Sequence, residues 1–326
     1  MDFDFAAEQP KLVQLLIGVV AFCAVVAVVV LLLDRAPTRQ RARLPALILL
    51  APALVLLGIG LVVPAIRTTL LSFMSGDSRA FVGVDNYAWM FTQPEALTVL
   101  RNTLIWVVLV PLVVTSIGLV YAVLVDRSRF EALAKSLVFL PMAISFVGAG
   151  IIWKFVYAYR PEGADQIGLL NQLVVWFGGE PQQWLLEPPV NTLFLIVVMV
   201  WIQAGFATVV LSAAIKGIPA EIVEAARLDG AGPVQMFFQV TLPSIRPAVI
   251  VVLVTQSIGT LKLFDIVRTM TGGQFDTSVI ANEMYNQAFR YGETGKGAAL
   301  AVFLFVLVTP IVVYQIRDLR LRREAR

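Results

Sequence analysis

Seven apolar runs, each long enough to cross a bilayer, limit what this 326-residue chain can fold into. They occupy 12–33, 44–66, 103–125, 136–158, 192–215, 248–267 and 297–316. A spanning helix needs roughly 20 residues. Hydrocarbon offers no water to backbone N–H and C=O groups, so each run predicts a helix that satisfies its own backbone. Five runs carry no charge; the fourth holds Lys154, and the sixth holds Lys262 and Asp265. Composition agrees, with 14% charged residues where a soluble domain carries about 25%. The expected fold is an all-α integral membrane protein with seven transmembrane helices.

Basic residues set the expected orientation. Segments 34–43, 126–135, 216–247 and 317–326 hold 15 of the 25 Lys and Arg residues. The longer segments 1–11, 67–102, 154–191 and 259–296 hold the other 10. The first set is therefore read as cytoplasmic, with the N-terminus outside and the C-terminus inside. The first run follows Asp2, Asp4 and Glu8 and precedes Arg35, Arg39, Arg41 and Arg43. It lacks the basic start of a signal peptide and reads as an uncleaved helix. The arginine-rich tail from Arg317 to Arg326 reads as a retention anchor without a ligand, with contact to membrane lipid headgroups as the alternative.

Several chemistries are excluded. The chain has no histidine, and its single cysteine, Cys23, lies in an apolar run where an inert thiol is expected. Gly295-Lys296-Gly297 lacks the spaced glycine and the Ser/Thr of a phosphate-binding loop. No cofactor or metal is expected on this chain, so any ATP must be used by a partner. A net charge of +3 gives no reason to expect nucleic acid.

Between the runs, two outer segments are too long to be turns. Segment 67–101 contains the turn residues Gly83, Asp85 and Asn86, and 159–191 contains a short amphipathic stretch at 167–177. Trp176 and Trp184 suit interfacial anchoring better than sugar stacking. The inner segment 216–247 reads as two short helices with a glycine hinge. Pro219 opens the first as its N1 residue, Ile222, Ala225 and Ala226 form a small apolar face, and Gly230 ends it. The second runs from Pro233 to about Val240, with Pro243 and Pro247 stopping it before the sixth run.

The run Glu224-Ala225-Ala226-Arg227-Leu228-Asp229-Gly230-Ala231, followed by Phe237, Val240, Leu242 and Pro243, resembles the EAA loop of binding-protein-dependent ABC importers. Val240 stands where the family usually has Ile. Phe81 to Tyr87, Asn102-Thr103-Leu104, Leu140-Pro141 and Thr271-Gly272-Gly273 resemble further segments of sugar permeases, the maltose-transporter F-type above all. Phe139 to Tyr159 and Trp184 to Pro189 resemble the alpha-glucoside branch. The resemblance implies a six-helix permease domain at 44–326 and an extra N-terminal helix with a basic linker at 1–43. It implies a sugar cargo and a place in a bacterial or archaeal cytoplasmic membrane. It also implies a second permease subunit, an extracytoplasmic solute-binding protein, and two ATPase subunits that carry ATP and Mg. Glu224, Ala225, Ala226, Asp229, Gly230, Leu242 and Pro243 would then couple this chain to the ATPases. Glu224 would pair with a basic group there, and Asp229 is free to cap the second helix.

Polar residues at membrane depth are candidates for the cargo path. Gln203 and Gln256 fall at similar depths in the fifth and sixth runs, with Trp201 and Phe206 beside the first and Thr255, Ser257 and Thr260 beside the second. Amides suit sugar hydroxyls and aromatic faces suit its C–H surface. Each residue alone serves equally as packing glue between helices; the cluster favours a path. Lys262 and Asp265 read as a mutual ion pair one turn apart, Lys154 as a snorkelling cation, and Gly259 as a point where the sixth helix loosens or as a tolerated membrane glycine. Other cargoes within the family are trehalose, lactose and glycerol-phosphate, the last expecting a basic exterior. An ion-coupled secondary transporter would favour paired intramembrane carboxylates or inverted repeats, and only Asp265 is present.

Overall fold

The computed structural model describes residues 5–34, 43–126 and 128–324. The chain divides into two compact units at Thr68/Thr69. The first contains α1 (Phe5–Asp34) and α2 (Arg43–Leu57), which continues through a π turn at Gly58–Val62 into α3 (Val63–Leu71). An apolar groove of about 630 Å³ lies between α1 and α2, walled by residues such as Val25, Val28, Ile48 and Val55. The exposed leucines and valines of this unit, and exposed Cys23, suit lipid as the solvent. Residues 35–42 of the basic segment expected at 34–43 lie outside the described residues, as do Arg127 and Arg326.

The second unit is helical throughout, with no strand among its described residues and an isolated bridge between Met74 and Phe81. It comprises α4 (Asp85–Thr92), α5 (Pro94–Val125), α6 (Glu131–Phe139), α7 (Phe146–Val156) and α8 (Leu169–Trp176). Then follow α9 (Val190–Lys216), α10 (Ala220–Leu228), α11 (Pro233–Gln235), α12 (Leu242–Leu261), α13 (Asp265–Met270), α14 (Ile280–Tyr285) and α15 (Thr294–Glu324). Across the chain, five helices among the described residues are long and apolar enough to cross a membrane, or six if the bent pair α6–α7 is one span. Leu16–Leu31 of α1 adds a shorter apolar stretch.

Two apolar runs are not single helices. The run 136–158 breaks into α6 with a 3-10 turn at Leu140–Ala143, and α7, bent by 102°. Pro141 sits in that turn, and Ser145 caps α7 by accepting the Gly148 N–H at 3.1 Å. A stop signal and a cap signal thus lie four residues apart. The run 248–267 breaks at Lys262, the C-cap of α12, before α13 begins at Asp265. Lys262 and Asp265 therefore do not share a helix, and no ion pair joins them. Gly259 stays within α12, so the break is not there. Lys154 donates to the Thr269 carbonyl at 3.4 Å, linking α7 to α13.

In the opposite sense, Pro243 and Pro247 do not stop the helix ahead of the sixth run. Helix continues from Pro233 to Leu261. A π turn at Met236–Thr241 widens the ladder just before Pro243, and the Ser244 hydroxyl donates to the Val240 carbonyl at 2.6 Å. The wider turn relieves the clash that a proline ring makes with the preceding turn.

The core forms where α5 packs on α9 and α12, around Trp106, Val110, Val114, Met199, Leu211 and Val252. Small residues allow the close approach. A Cβ built on Gly118 of α5 would lie 2.5 Å from the Ala207 Cβ and 2.9 Å from the Thr208 nitrogen on α9. At the loop-rich end, buried asparagines replace absent helical partners. Asn102 at α5 donates to the carbonyls of Asp276 and Ser278, and Asn191 at α9 donates to Phe275 at 2.7 Å. Asn171 donates to Ala158 and Gln182 and accepts from the Gln182 N–H and the Trp184 indole. Trp184 is thereby packed on Phe194 with centroids 4.9 Å apart and half-buried, whereas Trp176 is 72% exposed.

Gly118→Leu is expected to lower the thermal midpoint in detergent, since overpacking a tight core costs about 1–3 kcal/mol. Gly259→Ala, where a Cβ meets nothing within 4 Å, is expected to leave it unchanged or raise it. Equal midpoints for wild type and Gly118→Leu in differential scanning fluorimetry would contradict this contact.

Candidate functional site

The segment between α9 and α12 is ordered by its own sequence. Pro219 is extended (ψ 136°) and is the N-cap of α10, not its first helical residue. At the other end Gly230 has φ +81°, the left-handed region where glycine carries no Cβ penalty. The Gly230 N–H donates to Arg227 O at 3.1 Å and the Ala231 N–H to Ala226 O at 3.0 Å. These two bonds are a Schellman closure, as the sequence implies. Asp229 is the C-cap of α10 and does not cap the second helix. That start belongs to Gly232, whose N–H donates to the Gln235 side chain at 3.1 Å.

Burial sorts α10 into two faces. Val223, Ala226 and Ile218 are half-buried. Glu221, Glu224, Ala225 and Leu228 are exposed and share one stripe at i, i+3, i+4 and i+7 spacing, with Leu228 at 89% exposure. Ile222, which the spacing groups with Ala225 and Ala226 in a small apolar face, is 46% exposed beside that stripe. The free face of α10 is thus acidic and apolar at once. Behind α10 lies a cavity of about 790 Å³ lined by Val123, Asp126, Lys216, Val223, Arg227 and Phe237 among others. Leu242 and Pro243 begin α12 after the π turn, Leu242 half-buried and Pro243 exposed.

The membrane-depth candidates separate. Residues two apart on a helix point about 200° from each other, so Trp201 and Gln203 leave α9 on opposite sides. Trp201 packs edge-on against Trp153 of α7, centroids 5.7 Å apart. Gln203 and Phe206 are half-buried on the other side. On α12, Gln256 and Thr260 share one buried stripe, Ser257 is half-buried and Thr255 is exposed. The hydroxyls of Thr260 and Ser257 donate to the carbonyls of Gln256 and Leu253 on their own helix. Gln256 is 1% exposed and its Oε1 has no hydrogen-bond partner. Trp106 Nε1 and Thr115 Oγ1 on α5 are likewise buried and unpartnered. A buried polar atom without a partner costs about 1–3 kcal/mol, so the buried, unpartnered Oε1 of Gln256 is a defect for packing alone.

Sequence reasoning missed a charged cluster next to the loop. Glu131 at the start of α6 pairs with Lys135 and, at 2.5 Å, with Lys216 at the end of α9. Lys135 also donates to the Ser212 hydroxyl. The i, i+4 spacing of Glu131 and Lys135 was the available signal; the third partner, distant in sequence, was not legible.

Comparison with known proteins fits this arrangement. The chain is 50% identical over 275 residues to an osmoprotective compounds uptake permease protein of Synechocystis, covering 84% of this chain and 99% of that one. It is 48% identical over 270 residues to an alpha-glucoside transport system permease protein of Rhizobium meliloti, covering 82% of this chain and 80% of the relative. In fold it is similar to a chain of a bacterial ABC transporter that imports the acidic polysaccharide alginate. That match has a TM-score of 0.72 at 23% identity and covers 83% of this chain and 93% of that one. Residues 114–324 match the family model of the binding-protein-dependent transport system inner membrane component. The protein belongs to that family and is a multi-pass inner-membrane permease component of an ABC importer.

Proposed function

We propose that this permease carries an alpha-glucoside or maltose-like oligosaccharide, and that the 216–247 segment is its grip on the ATPases. The observation that carries the reading is the free face of α10. Glu221, Glu224, Ala225 and Leu228 stand exposed on a helix locked at its end by Gly230. An exposed leucine among carboxylates suits a partner that offers an apolar cleft and basic groups. In this reading Glu224 pairs with one such basic group, Ala225, Ala226 and Gly230 allow close approach, and Leu242 and Pro243 carry the motion into α12. Seven helices cross the membrane, with the N-terminus outside and the C-terminus inside. Residues 1–43 supply the extra helix and basic linker, and 44–326 form the permease domain. A second permease subunit completes the path, two ATPases drive it, and an extracytoplasmic solute-binding protein delivers the sugar.

Gln203, Phe206, Gln256 and Thr260 are proposed to line the path, with Ser257 at its edge and Trp201 as support from behind. The unpartnered Oε1 of Gln256 is what favours this over packing glue. The alpha-glucoside cargo follows the relative at 48% identity. An osmoprotective compound is the second reading, favoured by the relative at 50% identity.

Three outcomes test these assignments. Glu224→Lys is expected to abolish uptake while the protein stays in the membrane, with the ATPase no longer co-purifying; normal uptake and normal ATPase recovery would sink the docking role. Gly230→Val should weaken ATPase recovery more than Gly230→Asn, because a left-handed conformation costs an ordinary residue about 1–2 kcal/mol; indistinguishable recoveries would remove the hinge from the account. Gln256→Leu should hold or raise the thermal midpoint while cutting uptake by about tenfold, the worth of one lost hydrogen bond to cargo. Unchanged uptake would assign Gln256 to packing. Competition of labelled maltose uptake by trehalose, sucrose and lactose ranks the cargo.

A further inference from the structure

We propose that Glu131 is a positioning residue for transport: it ties α6 to the root of the 216–247 segment, so that α6 moves with that segment during the ATP cycle. This rests on the proposed docking role of α10.

α6 runs antiparallel along the last part of α9 and is fastened to it at three successive levels. Glu131 bonds Lys216 at 2.5 Å, Lys135 donates to Ser212, and Val138 and Phe139 press on Gly205. At that third level a Cβ on Gly205 would lie 2.4 Å from the Val138 carbonyl and 2.6 Å from the Phe139 Cα. Tyr121 of α5 adds a bond from its hydroxyl to the Ala134 carbonyl at 3.0 Å. The side chains of Glu131 and Lys135 are each 20% exposed. Half-enclosed charges are screened less than surface pairs, whose worth is about 0–1 kcal/mol.

Lys216 is the last residue of α9, directly before Gly217 and α10. α10 packs on the π turn at Met236–Thr241 that leads into α12, and the 790 Å³ cavity lies between it and residues such as Val123 and Lys216 at the ends of α5 and α9. A push on α10 therefore reaches α12 through that turn and α9 through the chain at Lys216. Glu131 takes that push across to α6, and α6 leads through the 102° bend to α7. The bent span is thereby joined to the ATPase-gripping segment by one carboxylate held between two cations.

The test uses the complete transporter, purified with its ATPase subunits in a Cys23→Ser background and spin-labelled at Leu133→Cys on α6 and Phe177→Cys after α8, both exposed. Electron–electron resonance reads the distance between the labels without nucleotide and after trapping with ATP and vanadate. The intact cluster is expected to give a shift on trapping. Glu131→Gln, outside the 216–247 segment, is expected to lose the shift while ATPase recovery and ATP turnover persist; Lys216→Met is expected to lose the shift as well. Glu131→Lys combined with Lys135→Glu and Lys216→Glu, which reverses the three charges and keeps both ion pairs, is expected to restore it in an Asp126→Asn background that removes the other carboxylate acting on position 216. A full-size shift in both single variants overturns the proposal, as does a loss that the reversed cluster leaves unrestored. An intact chain that recovers no ATPase would instead defeat the docking role of α10, a result distinct from either.

Discussion

Hydrogen bonds from buried asparagines to loop carbonyls hold the second unit together where its helices stop. A helix in lipid satisfies its own backbone, but every break leaves carbonyls and N–H groups that water cannot reach. Asn171 and Asn191 in the first turns of α8 and α9, Asn102 within α5 and Asn282 within α14 each donate to a loop carbonyl. Thr103 adds an acceptor for the Ile280 N–H at 3.0 Å. These bonds allow the segment from Thr271 to Val279, with Phe275 and Asp276 both at φ 55°, to be held against α5 and α9. The loop-rich end is fixed by amides and the core by glycine-mediated contact, whereas α10 stands beside a cavity and rests on the π turn that leads into α12.

The sequence was legible where one physical signal acted alone. Apolar runs located helices because hydropathy records the solvent directly, and Gly230 marked the end of α10 because only glycine is at ease at φ +81°. It misled where two signals competed. Hydropathy across 136–158 hid the Pro141 and Ser145 signals that bend the span. Pro243 and Pro247 read as stops because a π turn, which has no composition of its own, was not foreseen. The break after Leu261 carries neither glycine nor proline, and the two charges flanking it had suggested a continuous helix instead.

The candidate site shows the same division. The exposed face of α10 proposed for docking follows from helical spacing, with Ile222 exposed beside it. The path candidates were chosen by depth, and depth does not fix the side of a helix. Trp201 and Gln203 share a level yet diverge, one toward Trp153 and the other away from it. Glu131 was invisible because its partner Lys216 lies far along the chain, and only packing of α6 on α9 brings the two together.

The proposed grip on an ATPase and the proposed path within the membrane make a directional machine only if ATP, and no ion gradient, drives it. The most direct measurement is uptake of labelled maltose into proteoliposomes containing the purified complex and its solute-binding protein, with ATP enclosed and ion gradients collapsed by ionophores. Accumulation that persists without gradients and stops without internal ATP is the expected result. Accumulation that follows an imposed proton or sodium gradient in the absence of ATP would contradict the account.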